Sequence, residues 1–271
     1  MFNLFIIAII TILLTKVTFD LIFDFLQEGG LIAENYREQS IPYGYGLLYG
    51  LNFIFILVIG SLIGVYKFEI STRFIILVLT MTLIGIIDDV LGQKNFQGFK
   101  GHIKALICEH KLTTGFLKMT FSFIMVFYLF FEWYSDLSAA LIATFLALLG
   151  ANFINLLDVR PGRALKVVFF LSVIIFLLFQ NDSLLLLLPI IIMVLFSLPV
   201  DLKSQGMMGD VGANILGGVL ALILIINVSE FIQLIILLGL IIINLSAEFY
   251  SFTEYIAGNK VLSFIDELGK R

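Results

Sequence analysis

The sequence is poor in charged residues, which make up 13% of its 271 positions and leave a net charge of −4. Soluble domains carry about 25% charged residues, so this scarcity excludes an ordinary soluble enzyme, a disordered chain and a nucleic-acid-binding arm. One cysteine, Cys108, and four prolines exclude a disulfide framework and a proline-rich linker. Hydrophobic residues make up 61% of the chain. This composition predicts an all-α, polytopic integral membrane protein.

Long apolar runs predict about nine transmembrane helices. A helix needs roughly 20 mostly apolar residues to cross a bilayer, and the runs that approach this length are 1–23, 47–66, 70–89, 116–134, 137–157, 166–180, 184–200, 212–229 and 231–250. The first run lacks the basic start and the cleavage site of a signal peptide, so we expect it to be retained. We predict one membrane domain over residues 1–250, with catalytic cytosolic loops, and a cytosolic amphipathic tail over residues 251–271.

The distribution of basic residues predicts the orientation, because cytoplasmic loops are enriched in Lys and Arg. If the first helix runs from outside to inside, all 16 basic residues except Lys16, Lys67 and Arg73 fall on the inner side. The sequence therefore predicts an external N-terminus and a cytosolic C-terminus. In the tail, Val261, Phe264, Ile265 and Leu268 recur at the spacing of an amphipathic helix on the inner leaflet.

Acidic residues occur where three predicted spans meet the same inner face. Asp88 and Asp89 close the third span, Asp158 closes the fifth, and Asp210 opens the eighth within a glycine-rich stretch. Carboxylates at membrane depth are costly, so their grouping indicates a site. Adjacent acids can also be a solvated helix end, and Asp210 can also be an N-cap.

Two asparagines precede Asp158 at helical spacing. Asn152, Asn155 and Asp158 are three residues apart and share about a third of the helix circumference. A single asparagine here would be explained by a hydrogen bond between helices. Three polar residues that end at the basic loop of Arg160 and Arg163 favour the lining of a site.

Carboxylates beside basic residues are typical of a Mg²⁺–diphosphate site, since Mg²⁺ is held by one or two carboxylates together with substrate phosphates. The free N–H groups at the helix start near Asp210 are also expected to attract phosphate. The sequence thus predicts Mg²⁺ as the cofactor, at the surface where a soluble donor meets a lipid phosphate.

The order of these motifs resembles the polyprenyl-phosphate N-acetylhexosamine-1-phosphate transferase superfamily. The matching residues are Asp88-Asp89, Asn152-x-x-Asn155-x-x-Asp158 and Met208-Gly209-Asp210-Val211-Gly212, with a weaker match from Asn35 to Gly46. Members include the phospho-N-acetylmuramoyl-pentapeptide transferases and the UDP-N-acetylglucosamine:undecaprenyl-phosphate transferases. The resemblance covers residues 35 to about 220, and this chain would be a shortened and divergent member.

The resemblance implies a Mg²⁺-dependent transferase in the bacterial plasma membrane, acting in cell-wall or surface-glycan synthesis. A UDP-sugar would give its sugar 1-phosphate to a polyprenyl phosphate and release UMP. By motif, Asp210 would bind the metal, and Asp88, Asp89 and Asp158 would be catalytic. Expected substrate-binding residues are Asn152, Asn155, Arg160, Arg163, Lys118, Lys104 and His102. The expected partners are the UDP-sugar, the lipid phosphate and the membrane, without nucleic acid, and a homodimer is allowed.

The chain departs from the family pattern in two places. Val159 replaces the glycine that follows the family's aspartate, and two arginines enter this loop. The family's His-rich inner loop has no counterpart; the two histidines, His102 and His110, occur in another loop. Two alternatives therefore stay open: a catalytically silent relative that binds a lipid phosphate, and a membrane transporter. A transporter would usually place ionisable groups near mid-membrane.

Overall fold

The computed structural model describes residues 2–35, 37–91, 108, 113–179 and 184–270. Eleven helices and two short strands occur in these ranges: α1 (Phe2–Glu28), β1 (Ile32–Glu34), β2 (Ser40–Pro42), α2 (Leu47–Leu62), α3 (Phe68–Leu91), α4 (Thr114–Phe131), α5 (Leu137–Leu157), α6 (Arg163–Leu178), α7 (Leu184–Leu202), α8 (Gly209–Asn227), α9 (Glu230–Ala247), α10 (Phe252–Gly258) and α11 (Lys260–Glu267).

The helices identify a multi-pass membrane protein. Within the described ranges, seven helices, α1, α3, α4, α5, α7, α8 and α9, are long and apolar enough to cross a bilayer. The other two predicted spans correspond to α2 and α6, which have 16 residues each and are therefore about 24 Å long at 1.5 Å per residue. The predicted helical membrane fold is confirmed, whereas nine crossings and their orientation stay predictions.

Helix α8 forms the centre of the bundle. It is the most enclosed of the long helices, with 83% of its most apolar stretch buried, and it packs against α2, α3, α5 and α6. Helix α9 is only 11% buried by the same measure, so most of its apolar surface faces outward. Residues at the start of α8 are thus held from several sides at once.

A small antiparallel hairpin was not predicted by the all-α interpretation. Strands β1 and β2 pair Ala33 with Ile41 between α1 and α2. The side-chain Oδ1 of Asn35 accepts the backbone N–H groups of Arg37 and Gln39 at 2.8 and 3.0 Å, which closes the turn. Three-residue strands are too short to produce a clear alternating pattern, so they could not be predicted from the sequence.

Candidate functional site

A lysine and two aspartates meet at one end of the bundle. The Lys118 Nζ lies 2.6 Å from Asp88 Oδ2 and 2.6 Å from Asp210 Oδ2. Asp88 is near the end of α3, Lys118 is in the second turn of α4, and Asp210 begins α8. Three chain segments that are far apart in sequence therefore contribute charges to one cluster, which we call the acidic site.

Helix α5 adds two of the predicted residues to this end of the bundle. The Asn155 Nδ2 donates to Asp210 Oδ2 at 3.3 Å. Asp158 follows directly after α5, where burial and the charges of Asp201, Asp210 and Asp89 raise its pKa well above the ordinary value. Asp158 lies three residues after Asn155, which contacts Asp210, so it lies at the same end of the bundle as the acidic site.

Asp89 has a different task from its neighbour Asp88. Its Oδ1 accepts the Asp210 N–H at 2.9 Å and the Tyr43 hydroxyl at 2.7 Å, and its Oδ2 accepts the Val211 N–H at 3.3 Å. A carboxylate that takes the first N–H groups of a helix caps it and complements its dipole. Asp89 thus fixes the start of α8. The N–H groups of Asp210 and Val211 are already bonded to Asp89, whereas the sequence analysis expected them to be free to bind phosphate.

The loop before α8 is held by the segment that follows the hairpin. The Met207 carbonyl accepts the N–H groups of Gly44 and Tyr45 at 2.9 and 3.2 Å, and the Met207 N–H donates to the Pro42 carbonyl at 2.9 Å. Burial and the nearby Asp89 raise the pKa of Tyr43 above its ordinary value, so this phenol stays a neutral donor. The weaker sequence motif around Pro42 and Gly44 therefore positions the backbone next to Asp210.

Close packing of glycines brings the helix ends together. A Cβ added to Gly85 would lie 2.3 Å from the Val211 Cα, and one added to Gly46 would lie 2.3 Å from the Gly212 Cα. Inside a bilayer the hydrophobic effect does not drive helices together, so their close approach depends on small residues at the contact. Gly85 lies one turn before Asp88 and Asp89, so its contact with α8 sets how near these acids come to Asp210.

The acidic site is partly exposed to solvent and carries excess negative charge. The side chains of Asp88, Lys118 and Asp210 are 27%, 20% and 23% exposed. Among the described side chains that form the site, one ammonium faces several carboxylates. Such an excess favours binding of a further cation.

Asp201 is a residue that the sequence analysis missed. It is 5% exposed near the end of α7, and its Oδ2 accepts the Gly162 N–H at 2.6 Å. Gly162 has a φ of +73°, a conformation that favours glycine, and it lies in the loop that follows Asp158. The criterion that selected the other acids, a carboxylate at the inner end of a span, also applies to Asp201 and could have found it.

Two of the predicted site residues point elsewhere. The Asn152 Nδ2 donates to Asn244 Oδ1 of α9 at 2.6 Å, which is the helix–helix hydrogen bond considered for a single asparagine. Successive positions three residues apart rotate by about 60° around a helix, so Asn152 and Asn155 face different neighbours. Arg163 forms an ion pair with Asp266, at 2.7 Å between Nε and Oδ1.

The remaining predicted residues lie at or beyond the edge of the site. Arg160 is exposed in the loop after Asp158 and lines a pocket shared with Arg163 and Thr253. His102 and Lys104 lie outside the described residues. Among the residues that the structure does describe, no group of three or more His, Cys, Asp or Glu side chains is arranged to hold a metal ion.

Comparison with known proteins adds no family to this description. No protein-family model matches the chain, and no curated protein matches it. The functional argument therefore depends on the geometry of the acidic site and on the order of its motifs.

Proposed function

We propose that this protein transfers a sugar 1-phosphate from a UDP-sugar to a polyprenyl phosphate at the cytosolic face of a bacterial plasma membrane, with Mg²⁺ as cofactor. The reaction serves cell-wall or surface-glycan synthesis. The proposal combines the motif order in the sequence with the chemistry of the acidic site.

One observation carries the proposal: Asp88 and Asp210, from two helices, contact the same Lys118 ammonium at 2.6 Å. Asn155 approaches this point from a third helix, and Asp158 follows it directly after the end of that helix. Polar groups that meet at the end of a membrane bundle are accessible both to a soluble donor and to a lipid headgroup. A transporter site would be expected nearer the middle of the membrane.

The carboxylates of the acidic site are the support for Mg²⁺ as the proposed cofactor. This ion needs oxygen ligands and is commonly held by one or two protein carboxylates, with water and phosphate oxygens completing the shell. Asp210 is the proposed protein ligand of the ion, beside the Lys118 ammonium that it contacts at 2.6 Å. When bound, Mg²⁺ would neutralise the charge of the diphosphate.

The other residues position and neutralise the substrates. In the reaction, an acceptor phosphate oxygen attacks the phosphorus that carries the sugar, a new P–O bond forms, the bond of the diphosphate bridge breaks, and UMP leaves. Phosphoryl transfer requires mainly alignment and charge neutralisation. Lys118 supplies a positive charge and Asn155 an N–H donor beside Asp210, whereas Asp89 acts through the position of α8.

The acceptor makes a separate catalytic base unnecessary, because a phosphate monoester is already anionic at neutral pH. We assign Asp88 the task of positioning the acceptor through Lys118. Asn152 and Arg163 have no part in this proposal, since their side chains bind Asn244 and Asp266. Arg160 stays a proposed contact of the donor.

A silent lipid-phosphate-binding protein is the second candidate. Its support is the loop after Asp158, where Val159 replaces a glycine, and the pairing of Arg163, at the start of α6, with Asp266. Such a protein would keep the acidic site and bind the acceptor without releasing UMP.

The test is UMP release from the purified protein with Mg²⁺, undecaprenyl phosphate and a panel of UDP-sugars. We expect release with at least one donor, and we expect Asp210→Asn to reduce it at least about 100-fold, because removal of an electrostatic group at a reacting centre costs this much.

Asp136→Asn is the matched control. Asp136 accepts the Ala139 N–H at 3.0 Å as the N-cap of α5, at the opposite end of the helix from Asp158, and asparagine is an equally good N-cap. This variant should release UMP at the rate of the wild-type protein. Absence of UMP with every donor, together with acceptor binding, would favour the silent protein.

A further inference from the structure

Helices α10 and α11 form a tail segment (residues 251–270) that folds back against the bundle. The Asn259 Oδ1 accepts the Val261 and Leu262 N–H groups at 3.0 and 3.1 Å and caps α11. A Cβ on Gly269 would lie 3.1 Å from the Leu202 side chain, so the segment reaches the end of α7. It therefore lies across the same end of the bundle as the acidic site.

One side of α11 is attached to the start of α6 by polar contacts. Arg163 binds Asp266 with two hydrogen bonds, Nε to Oδ1 at 2.7 Å and Nη2 to Oδ2 at 3.0 Å. Lys166 Nζ donates to the backbone carbonyl of Asp266 at 2.7 Å, and Lys270 Nζ lies 2.8 Å from Asp266 Oδ2. The Arg163 and Asp266 side chains are only 6% and 10% exposed. These contacts fix the rotation of α11 about its axis.

A second side of α11 is apolar and faces away from the protein. Val261 and Phe264, three residues apart on one helix face, are 67% and 69% exposed, and Leu268, which directly follows the helix, is 57% exposed. Large apolar side chains in a row are typical of a surface that another apolar phase covers.

A third side carries the charges. Glu267, whose side chain is 68% exposed, is about 60° from Phe264 and about 100° from Asp266 on a helical projection. Helix α11 thus has three kinds of neighbour: the protein at Asp266, an apolar phase at Phe264 and water at Glu267. This combination of sides is typical of a helix that lies at a boundary between protein, lipid and water.

The tail segment follows a helix whose own apolar surface faces outward. Leu245, near the end of α9, is 58% exposed, and Tyr250, which follows this helix, is 74% exposed. Tyrosine is enriched where membrane spans reach the headgroups. The chain therefore enters the tail segment at the level of the interface, and α11 begins ten residues after Tyr250.

We propose that α11 lies in the membrane interface with its Val261–Phe264–Leu268 side among lipid acyl chains, held in this position by the Arg163–Asp266 pair. Because Gly162 ends the loop after Asp158 and Arg163 begins α6, Asp201 and the lipid-seated helix together hold the end of this loop. The proposal does not depend on the transferase activity, and its test measures only the surroundings of α11.

The experiment places a fluorescent thiol label on the full-length protein in lipid nanodiscs. In a Cys108→Ser background, Phe264→Cys puts the label on the apolar side, and Glu267→Cys is the matched control three residues away. Lipids with brominated acyl chains quench a label that lies among them, and aqueous iodide quenches a label in water.

We expect brominated lipids to quench the label at position 264 at least ~2-fold more than the label at position 267, and iodide to show the reverse order, as for an amphipathic helix in the interface. Equal quenching at both positions would overturn the proposal. A label at position 264 that neither quencher reaches would also overturn it, because a protein surface would then cover this side.

Discussion

At the scale of single residues, the position of Lys118 between two carboxylates sets the charge balance of the acidic site. Its ammonium is shared by Asp88 and Asp210 at equal distances of 2.6 Å. Removal of one partner from a buried ion pair costs about 3–5 kcal/mol, but these side chains are 20% to 27% exposed, and solvent screens part of the loss.

We therefore predict that Lys118→Ala destabilises the protein by about 2 kcal/mol, since two carboxylates would then face each other without a counter-ion. Added Mg²⁺ should restore more stability in this variant than in the wild type, because the ion can take the vacated position. Thermal unfolding in detergent, with and without Mg²⁺, measures both effects.

Lys203→Ala is the control for this prediction. Lys203 is exposed after α7, so its removal should change neither stability nor the response to Mg²⁺. An equal Mg²⁺ response in Lys118→Ala and Lys203→Ala would mean that the ion does not bind between Asp88 and Asp210.

Asp266 has the clearest pH dependence outside the membrane spans. Contacts with Arg163 and Lys270 outweigh burial and lower its pKa from 3.8 to about 2. A carboxyl group with a lowered pKa stabilises the folded form at pH values above its unfolded pKa and loses this effect as the pH falls through the folded pKa. Attachment of α11 to α6 should thus be constant above pH 5 and weaken between pH 4 and 2.

A spin label at Glu267→Cys, in the Cys108→Ser background, tests this dependence through its mobility. The label should become more mobile below pH 4 in this protein, whereas an added Asp266→Asn change should make it mobile at every pH. If the label in the Asp266→Asn protein still responded to pH in the same way, another group would control the attachment.

At the scale of elements, the approach of α3 to α8 depends on Gly85. We predict that Gly85→Ala destabilises the protein by about 1–3 kcal/mol, the usual cost of overpacking, because its Cβ would lie 2.3 Å from the Val211 backbone. The displacement of α3 would also move Asp88 from Asp210 and lower the proposed UMP release.

Gly239→Ala provides the comparison, since a Cβ at this position of α9 meets no atom within 4 Å. Its unfolding temperature should equal that of the wild type or exceed it, as alanine favours a helix. A Gly85→Ala protein as stable and as active as Gly239→Ala would show that the close approach of α3 and α8 is not needed.

The elements also explain how far the sequence could predict this structure. Apolar runs located all nine predicted helices, because lipid requires long apolar segments. The grouping of Asp88, Asn155 and Asp210 followed from the expectation that their helices end on the same side. The partner of Asn152 could not be predicted, since it depends on how α5 is rotated about its axis. The partner of Arg163 could not be predicted either, since it depends on the tail segment folding back against α6. Asp89 as the cap of α8 likewise requires a contact between residues 121 positions apart.

At the scale of the whole molecule, the proposed chemistry requires the acidic site to face the cytosol, where nucleotide sugars occur. The contacts of Lys118 place the end of α3 and the start of α4 beside each other, and Cys108 lies between these two helices in sequence. The side of the membrane that carries Cys108 is therefore the side that carries the site.

Cys108 is exposed and is the single cysteine of the chain, so it reports the orientation without engineering. We predict that a membrane-impermeant maleimide labels Cys108 in inside-out vesicles and leaves it unlabelled in intact cells. Lys67→Cys in the Cys108→Ser background is the matched control: Lys67 is exposed in the loop between α2 and α3, one crossing away from Cys108, and it should give the opposite result. Labelling of Cys108 in intact cells would put the acidic site outside, where UDP-sugars are absent, and would remove the basis for the proposed reaction.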